Sequence, residues 1–293
     1  MDFKLPTKKG RKVQQKAKRE LFKATKKVSQ NLQPNEDDKP NKLFIMGCQR
    51  SGTTMMLRIL ENDWQSRVYG ELSKFTVNPP ENIRLISLPK IKQKINRLPA
   101  SLVVLKPLVE SHRAHELLEF FPQSKAIWMY RHYKDVAASN LKNFGEDNGV
   151  RDLSVIAKAE KNNWRSAGVS DEVRALVSHY YREDMSNFDA AALFWYARNS
   201  LFFEQDLANH PKVRMYRYSD LVMEPDVELR ALYDFIGLPY PEHIADYEIS
   251  RKSVGKGQEI SLDPEIEAHC QAMLNRLDEA YQKQNGVPHG HEV

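Results

Sequence analysis

Leu43-Phe44-Ile45-Met46-Gly47-Cys48-Gln49-Arg50-Ser51-Gly52-Thr53-Thr54 is the stretch that decides the fold. Its first four residues are an apolar run halted at Gly47, the pattern of a short buried strand. From Thr53 to Asn62, Met56, Leu57 and Leu60 recur at helix spacing. A loop between such a strand and helix turns successive backbone N–H groups inward at a helix N-terminus, where free donors and the helix dipole favour an anion. Gly47 and Gly52 let the chain turn tightly and approach a phosphate without a Cβ in the way. Thr53 and Thr54 add hydroxyl donors.

Outward from this unit the pattern repeats. Leu102–Leu105, Ala126–Tyr130 and Val213–Tyr216 are further strand candidates. Helical patterns follow at Asp135 to about Leu141 and from about Pro225 to Ile236. Strands alternating with helices predict an α/β fold with a central parallel sheet covered on both faces. The segment 153–205 is helical in pattern and rich in aromatics, which suits a helical cover, with most of its rings in ordinary core packing. A chain of 293 residues fits one large α/β domain. No apolar run approaches the roughly 20 residues of a membrane helix. There is no apolar signal core at the N-terminus, and Cys48 and Cys270 are too few for a disulfide framework, so a cytoplasmic location is expected.

The net charge of +5 is unevenly spread. Residues 1–30 hold eleven basic residues against Asp2 and Glu20, a tail of +9 that leaves −4 for the remainder. The proline-bracketed polar stretch Pro34–Asn41 reads as a linker, so residues 1–41 are expected to be a basic tail and linker, and 42–293 the folded domain. Val13, Ala17, Leu21, Ala24, Val28 and Leu32 recur every three or four residues, so the tail can form an amphipathic basic helix. The favoured expectation is a solvated, partly disordered extension, with peripheral contact to anionic lipid as the alternative. No nucleic-acid partner is expected.

The loop spacing matches G-x-x-x-x-G-K-[ST] with one departure: Thr53 stands where the lysine belongs, and the nearest cation is Arg50, within the loop. A triphosphatase uses that lysine on its β- and γ-phosphates, so ATP hydrolysis is disfavoured. A nucleotide kinase or NTPase with a degenerate loop is the alternative reading. A basic-tailed binding protein without catalysis ranks below both.

Gln49-Arg50-Ser51-Gly52-Thr53-Thr54 resembles the 5′-phosphosulfate loop of sulfotransferases that use 3′-phosphoadenosine 5′-phosphosulfate (PAPS), which commonly reads P-[KR]-[SG]-G-T-[TS]. Gln49 replaces the proline. The arginine form is closest in style to the tyrosylprotein and heparan enzymes, and a bacterial-type member is expected. Arg131, Asp135 and Ser139 repeat the spacing of the family's 3′-phosphate motif, in which an Arg ends a strand and Asp and Ser follow four and eight residues on. For Asp135 the plain role of helix cap is expected. The family often places a His in K-x-H on the second strand, whereas this chain has Lys106-Pro107-Leu108.

Glu71, 21 residues past Arg50, stands at the separation that tyrosylprotein and some heparan enzymes place between loop cation and catalytic Glu. The resemblance therefore implies Glu71 as base, with Arg50 and Lys106 on the transferring sulfuryl group. It implies Arg50, Ser51, Gly52, Thr53 and Thr54 on the 5′ end, Arg131 and Ser139 on the 3′-phosphate, and Tyr218 near the adenine. The late basic loop supplies Arg251, Lys252 and Lys256 as further candidates for the 3′-phosphate. No metal is implied. The acceptor is a hydroxyl on a glycan, lipid, small metabolite or tyrosine, with small molecules and cytoplasmic glycans favoured by the missing signal.

Overall fold

The computed structural model describes residues 8–32, 40–77, 82–246 and 253–286. In chain order the elements are α1 (Lys8–Leu32), β1 (Asn41–Gly47), α2 (Thr53–Glu61), β2 (Ser66–Tyr69), β3 (Thr76–Val77), β4 (Arg84–Leu85), α3 (Leu88–Ile95) and β5 (Leu102–Leu105). There follow α4 (Ala114–Phe120), β6 (Ser124–Tyr130), α5 (Tyr133–Phe144), α6 (Asn148–Ala157), α7 (Asp171–Tyr180) and α8 (Asn187–Glu204). The chain then runs through β7 (Val213–Arg217), α9 (Tyr218–Met223), α10 (Pro225–Ile236) and α11 (Pro264–Asn285).

Five strands form a parallel sheet in the order β2-β5-β1-β6-β7. The four predicted strands are among them, because strands buried on both faces read as unbroken apolar runs. Successive side chains of β1 point to opposite faces. Leu43 and Ile45 join Met56, Ile59 and Leu60 of α2 on one face. Phe44 and Met46 join Tyr133 and Val136 of α5, and Phe194, Trp195 and Phe202 of α8, on the other. The helix after β1 and the helix after the adjacent β6 therefore cover opposite faces. A crevice opens at the carboxyl ends of neighbouring strands where their connections diverge in this way, and such crevices bind ligands in open α/β sheets.

Two glycines make this end of the sheet possible. A Cβ on Gly47 would lie 2.3 Å from the Met129 carbonyl oxygen, so only a glycine lets β1 end against β6. Gly52 has φ +91°, and a Cβ there would lie 2.4 Å from the Tyr218 ring.

The tail departs from its favoured expectation. α1 is helical, and its described side chains from Ala17 onward include a polar edge docked on the body. Lys26 is buried and donates to the Glu61 carbonyl at 2.6 Å and to Ser66 Oγ at 3.1 Å. Gln30 donates to the carbonyls of Trp64 and Ser66 at 2.7 and 3.0 Å, and Phe22 packs edge-on against Trp64. Arg19 and Lys23 both pair with Glu61, at 2.5 and 3.3 Å. The helix is held by its polar residues, and no apolar count reveals that. Among the described residues no helix is long and apolar enough to cross a membrane.

Candidate active site

The loop between β1 and α2 is shaped for an anion. Arg50 has φ +67°, and together with Gly52 it makes two left-handed positions within three residues. Gly52 is the N-cap of α2 and supplies no side-chain cap, and the first turn of α2 holds no acidic residue. The first amides of α2 are thus left without a side-chain acceptor. Ser51 is fully buried and its hydroxyl has no hydrogen-bond partner among the described residues, a costly arrangement unless something polar meets it.

Beside this loop, Lys106 at the end of β5 is buried and donates both to Thr54 Oγ1 at 3.0 Å and to Glu71 Oε2 at 2.9 Å. The lysine bridges the phosphate-type loop and the carboxylate. Its backbone amide bonds the Tyr69 carbonyl at 2.9 Å, which continues the β2–β5 pairing and fixes where Glu71 emerges. Arg50, Thr53, Thr54, Glu71 and Lys106 line one cavity of about 520 Å³. Its far wall holds Phe144, Val155 and Trp164 together with polar Asn148, Arg151 and Asn163. Among the described residues no cluster of three or more His, Cys, Asp and Glu side chains suited to a metal is present.

A second cationic centre adjoins the first. Arg131, buried at the end of β6, donates to the Arg50 carbonyl at 3.5 Å and to the carbonyl of Ser253, and its guanidinium lies 4.3 Å from the centroid of the Tyr218 ring. Arg50 donates through Nε to Ser139 Oγ at 3.0 Å. Burial, and behind it the like charge of Arg131, press the Arg50 pKa below the usual guanidinium range. Arg131 is offset by its ion pair with Asp135, and an anion bound beside Arg50 would relieve the remaining repulsion.

The structure thus brings Arg50, Ser51, Gly52, Thr53, Thr54, Glu71, Lys106, Arg131, Ser139 and Tyr218 around one crevice. Lys256 is exposed on the loop 253–257 that closes over Arg131. Arg251 and Lys252 lie outside the described residues.

The expected capping role of Asp135 is corrected. The N-cap of α5 is His132, whose side chain accepts from the Lys134 amide. Asp135 lies inside the first turn, and its carboxylate accepts from the amides of Gly255 at 3.0 Å and Gly257 at 2.8 Å while pairing with Arg131 at 3.1 Å. It clasps the late loop to Arg131. That role depends on a contact across 120 residues, and spacing within the motif gives no sign of it.

Sequence reasoning also missed Asp152 of α6. It is buried, accepts from Gln49 of the loop at 2.9 Å and from Asn148 at 2.8 Å, and pairs with Arg165 at 2.6 Å. This network props the loop from the cavity side. Of the aromatics of 153–205, Phe194, Trp195 and Trp164 are buried in the core, and Trp164 also lines the cavity.

The family model for the sulfotransferase domain matches residues 40–259. The chain belongs to the sulfotransferase family. Among solved structures, a sulfotransferase domain from the curacin biosynthetic pathway aligns at a TM-score of 0.50 with 16% identity, over 83% of this chain and 99% of that one. A sulfotransferase from Alicyclobacillus acidocaldarius aligns at 0.49 and 14% identity, over 84% and 95% of the two chains. A mouse sulfotransferase complexed with PAP aligns at 0.39 and 14%, over 86% and 87%. No curated protein matches by sequence. The α/β fold with its central parallel sheet is therefore that of the sulfotransferases, and this sulfotransferase is an enzyme of sulfuryl transfer. The kinase alternative is set aside: the family match covers the very loop that lacks the kinase-type lysine.

Proposed function

We propose that this sulfotransferase carries the sulfuryl group of PAPS to an acceptor hydroxyl by in-line transfer, with Glu71 as the base. The observation that carries this reading is the chain of contacts from Glu71 through Lys106 to Thr54, which joins a carboxylate in the acceptor cavity to the phosphate loop. In the reaction the acceptor oxygen forms a bond to sulfur as the bond from sulfur to the donor's phosphate oxygen breaks. The acceptor proton passes to Glu71, and 3′-phosphoadenosine 5′-phosphate (PAP) leaves. Arg50 and Lys106 sit where the equatorial sulfuryl oxygens gather charge, the type of stabilisation fixed cations supply best in a site closed to water. The buried Ser51 hydroxyl and the uncapped first turn of α2 suit the 5′-phosphate.

Arg131 and Ser139 receive the 3′-phosphate, and a bound bisphosphate exchanges the Arg50–Ser139 hydrogen bond for phosphate oxygens. Tyr218, already partnered by Arg131, lies beside the nucleotide. The late loop, with Lys256 and the neighbouring Arg251 and Lys252, closes over the 3′ end. Two separate anion centres suit a nucleotide with phosphate at both ends, which ATP is not. A cavity of about 520 Å³ lined by apolar, amide and charged side chains suits a small hydroxylated molecule or one terminal unit of a glycan.

Calorimetry with PAP against ATP·Mg²⁺ tests the donor, and tight ATP binding with none for PAP overturns it. Glu71→Gln tests the base. Turnover of radiolabelled PAPS with a panel of acceptors is expected to fall by at least about a hundredfold, with PAP affinity nearly unchanged. Unchanged turnover removes Glu71 from the role.

A further inference from the structure

α1 presents its apolar side outward. At about 100° per residue, Leu21, Val28 and Leu32 fall within an arc of about 40°, with Ala17 and Ala24 beside them. Arg19, Lys26 and Gln30, which hold the helix to the body, fall on the opposite side. The structure agrees: Leu21, Val28 and Leu32 are 69%, 56% and 77% exposed. An amphipathic helix on a globular body ordinarily does the reverse.

Cations flank the stripe. Lys18 and Lys27 are exposed on either side of it. Lys74 lies close enough to Lys27, Arg67 and Lys94 for these neighbours to add to burial in lowering its pKa. Among the described residues, none of Lys27, Arg67, Lys74 and Lys94 is in a salt bridge with a carboxylate. The loop that carries Lys74 also exposes Leu72, 73% accessible.

We propose that the outward face of α1, extended by the cations around Lys74, docks on an anionic lipid bilayer. Charge selects this occupant. The sequence of α1 holds ten basic residues and one acid, so pairing its stripe with that of a second copy would bring two helices of +9 together. An anionic headgroup layer neutralises the same charge. A nucleic acid would satisfy the lysines and leave the leucines in water. An interfacial helix with an apolar face and a lysine-rich flank satisfies both on lipid. The inference stands apart from the donor and base assignments, since it uses none of their residues.

The test is co-sedimentation of the full chain with vesicles of phosphatidylcholine alone or with about 30% phosphatidylserine. Binding is expected only to the anionic vesicles and is expected to fall steeply with added salt. The triple variant L21E/V28E/L32E alters exposed positions and so should keep the wild-type melting temperature. It is expected to lose at least about tenfold in partitioning, and K18E/K27E to lose a comparable amount. Absence of binding to anionic vesicles overturns the proposal, as does equal binding by the triple variant. A concentration-dependent dimer in sedimentation equilibrium that L21E/V28E/L32E abolishes assigns the face to a second copy and likewise overturns it. So does binding of duplex RNA that displaces the vesicles and is insensitive to the leucine changes.

Discussion

Asp135→Asn is the substitution with the most to say about how the donor is held. The wild-type carboxylate receives three donors: the amides of Gly255 and Gly257 and the guanidinium of Arg131. Asparagine keeps one acceptor oxygen and turns an NH₂ toward a donor, so about two charge-assisted bonds are lost. At about 1.5–3 kcal/mol each for bonds to charged groups, the gross loss is about 3–6 kcal/mol. Gly255 is partly open to water and recovers some of this, which sets the expectation near the lower end, about 3 kcal/mol. The loss falls on the attachment of loop 253–257, which can swing away without opening the sheet. It should therefore appear mainly as weakened nucleotide binding. About 3 kcal/mol corresponds to a PAP Kd raised by about a hundredfold, since 1.4 kcal/mol is tenfold. Calorimetry with PAP reads the affinity, and thermal melting of the unliganded protein reads the cost to the fold. A Kd within threefold of wild type, with a melting temperature lowered by many degrees, would refute the reasoning and make Asp135 a purely structural residue.

Three further outcomes are expected. Burial pushes the Cys48 thiol up to about 12, so the folded protein should react with a thiol reagent at neutral pH no faster than it unfolds; rapid labelling without denaturant would contradict the buried loop. His112 titrates at about 4, held down by burial and then by the Arg198 charge, whereas the unfolded chain takes up that proton near 6.5. The unfolded state thus binds more protons between those values, so stability falls as pH drops from about 6.5 to 4, by at most about 3 kcal/mol, and His112→Asn should flatten that slope in denaturant titrations. Replacing Lys26 and Gln30 together with alanine removes five hydrogen bonds that dock α1, and trypsin should then cut at Arg19 and Lys23 at least about tenfold faster with the body intact.

How much of this could be read from the sequence follows from where each signal resides. β1, β5, β6 and β7 were legible because Leu43–Met46 and their counterparts are unbroken apolar runs. β2 was not: Ser66-Arg67-Val68-Tyr69 is an edge strand of mostly half-buried residues, with no period strong enough to mark it. The local spacing of Arg50, Thr54, Arg131 and Ser139 placed them on the right strand–helix units, and Glu71 and Lys106 were reachable through the resemblance. The clasp by Asp135 and the prop by Asp152 were not reachable, since both act on partners about 100 or more residues away. For α1 the apolar period marked a genuine helix, yet the residues that fasten it to the body are chiefly Arg19, Lys23, Lys26 and Gln30, which hydrophobic periodicity cannot weigh.

The central position of β1 has a kinetic consequence. Asn41–Phe44 pair with 102–105, and Lys42–Gly47 with 124–129, so the strand feeding the phosphate loop gains its neighbours only from chain some 60 to 80 residues downstream. Contacts of such separation form late, after the entropy of closing long loops has been met. Gly47 is positioned by Met129, and Gly52 packs against Tyr218, so the loop cannot take its shape in any fragment ending before those residues. Competence to bind nucleotide is therefore acquired in the closing stage of folding. PAP binding followed in real time during refolding would report completion of the sheet.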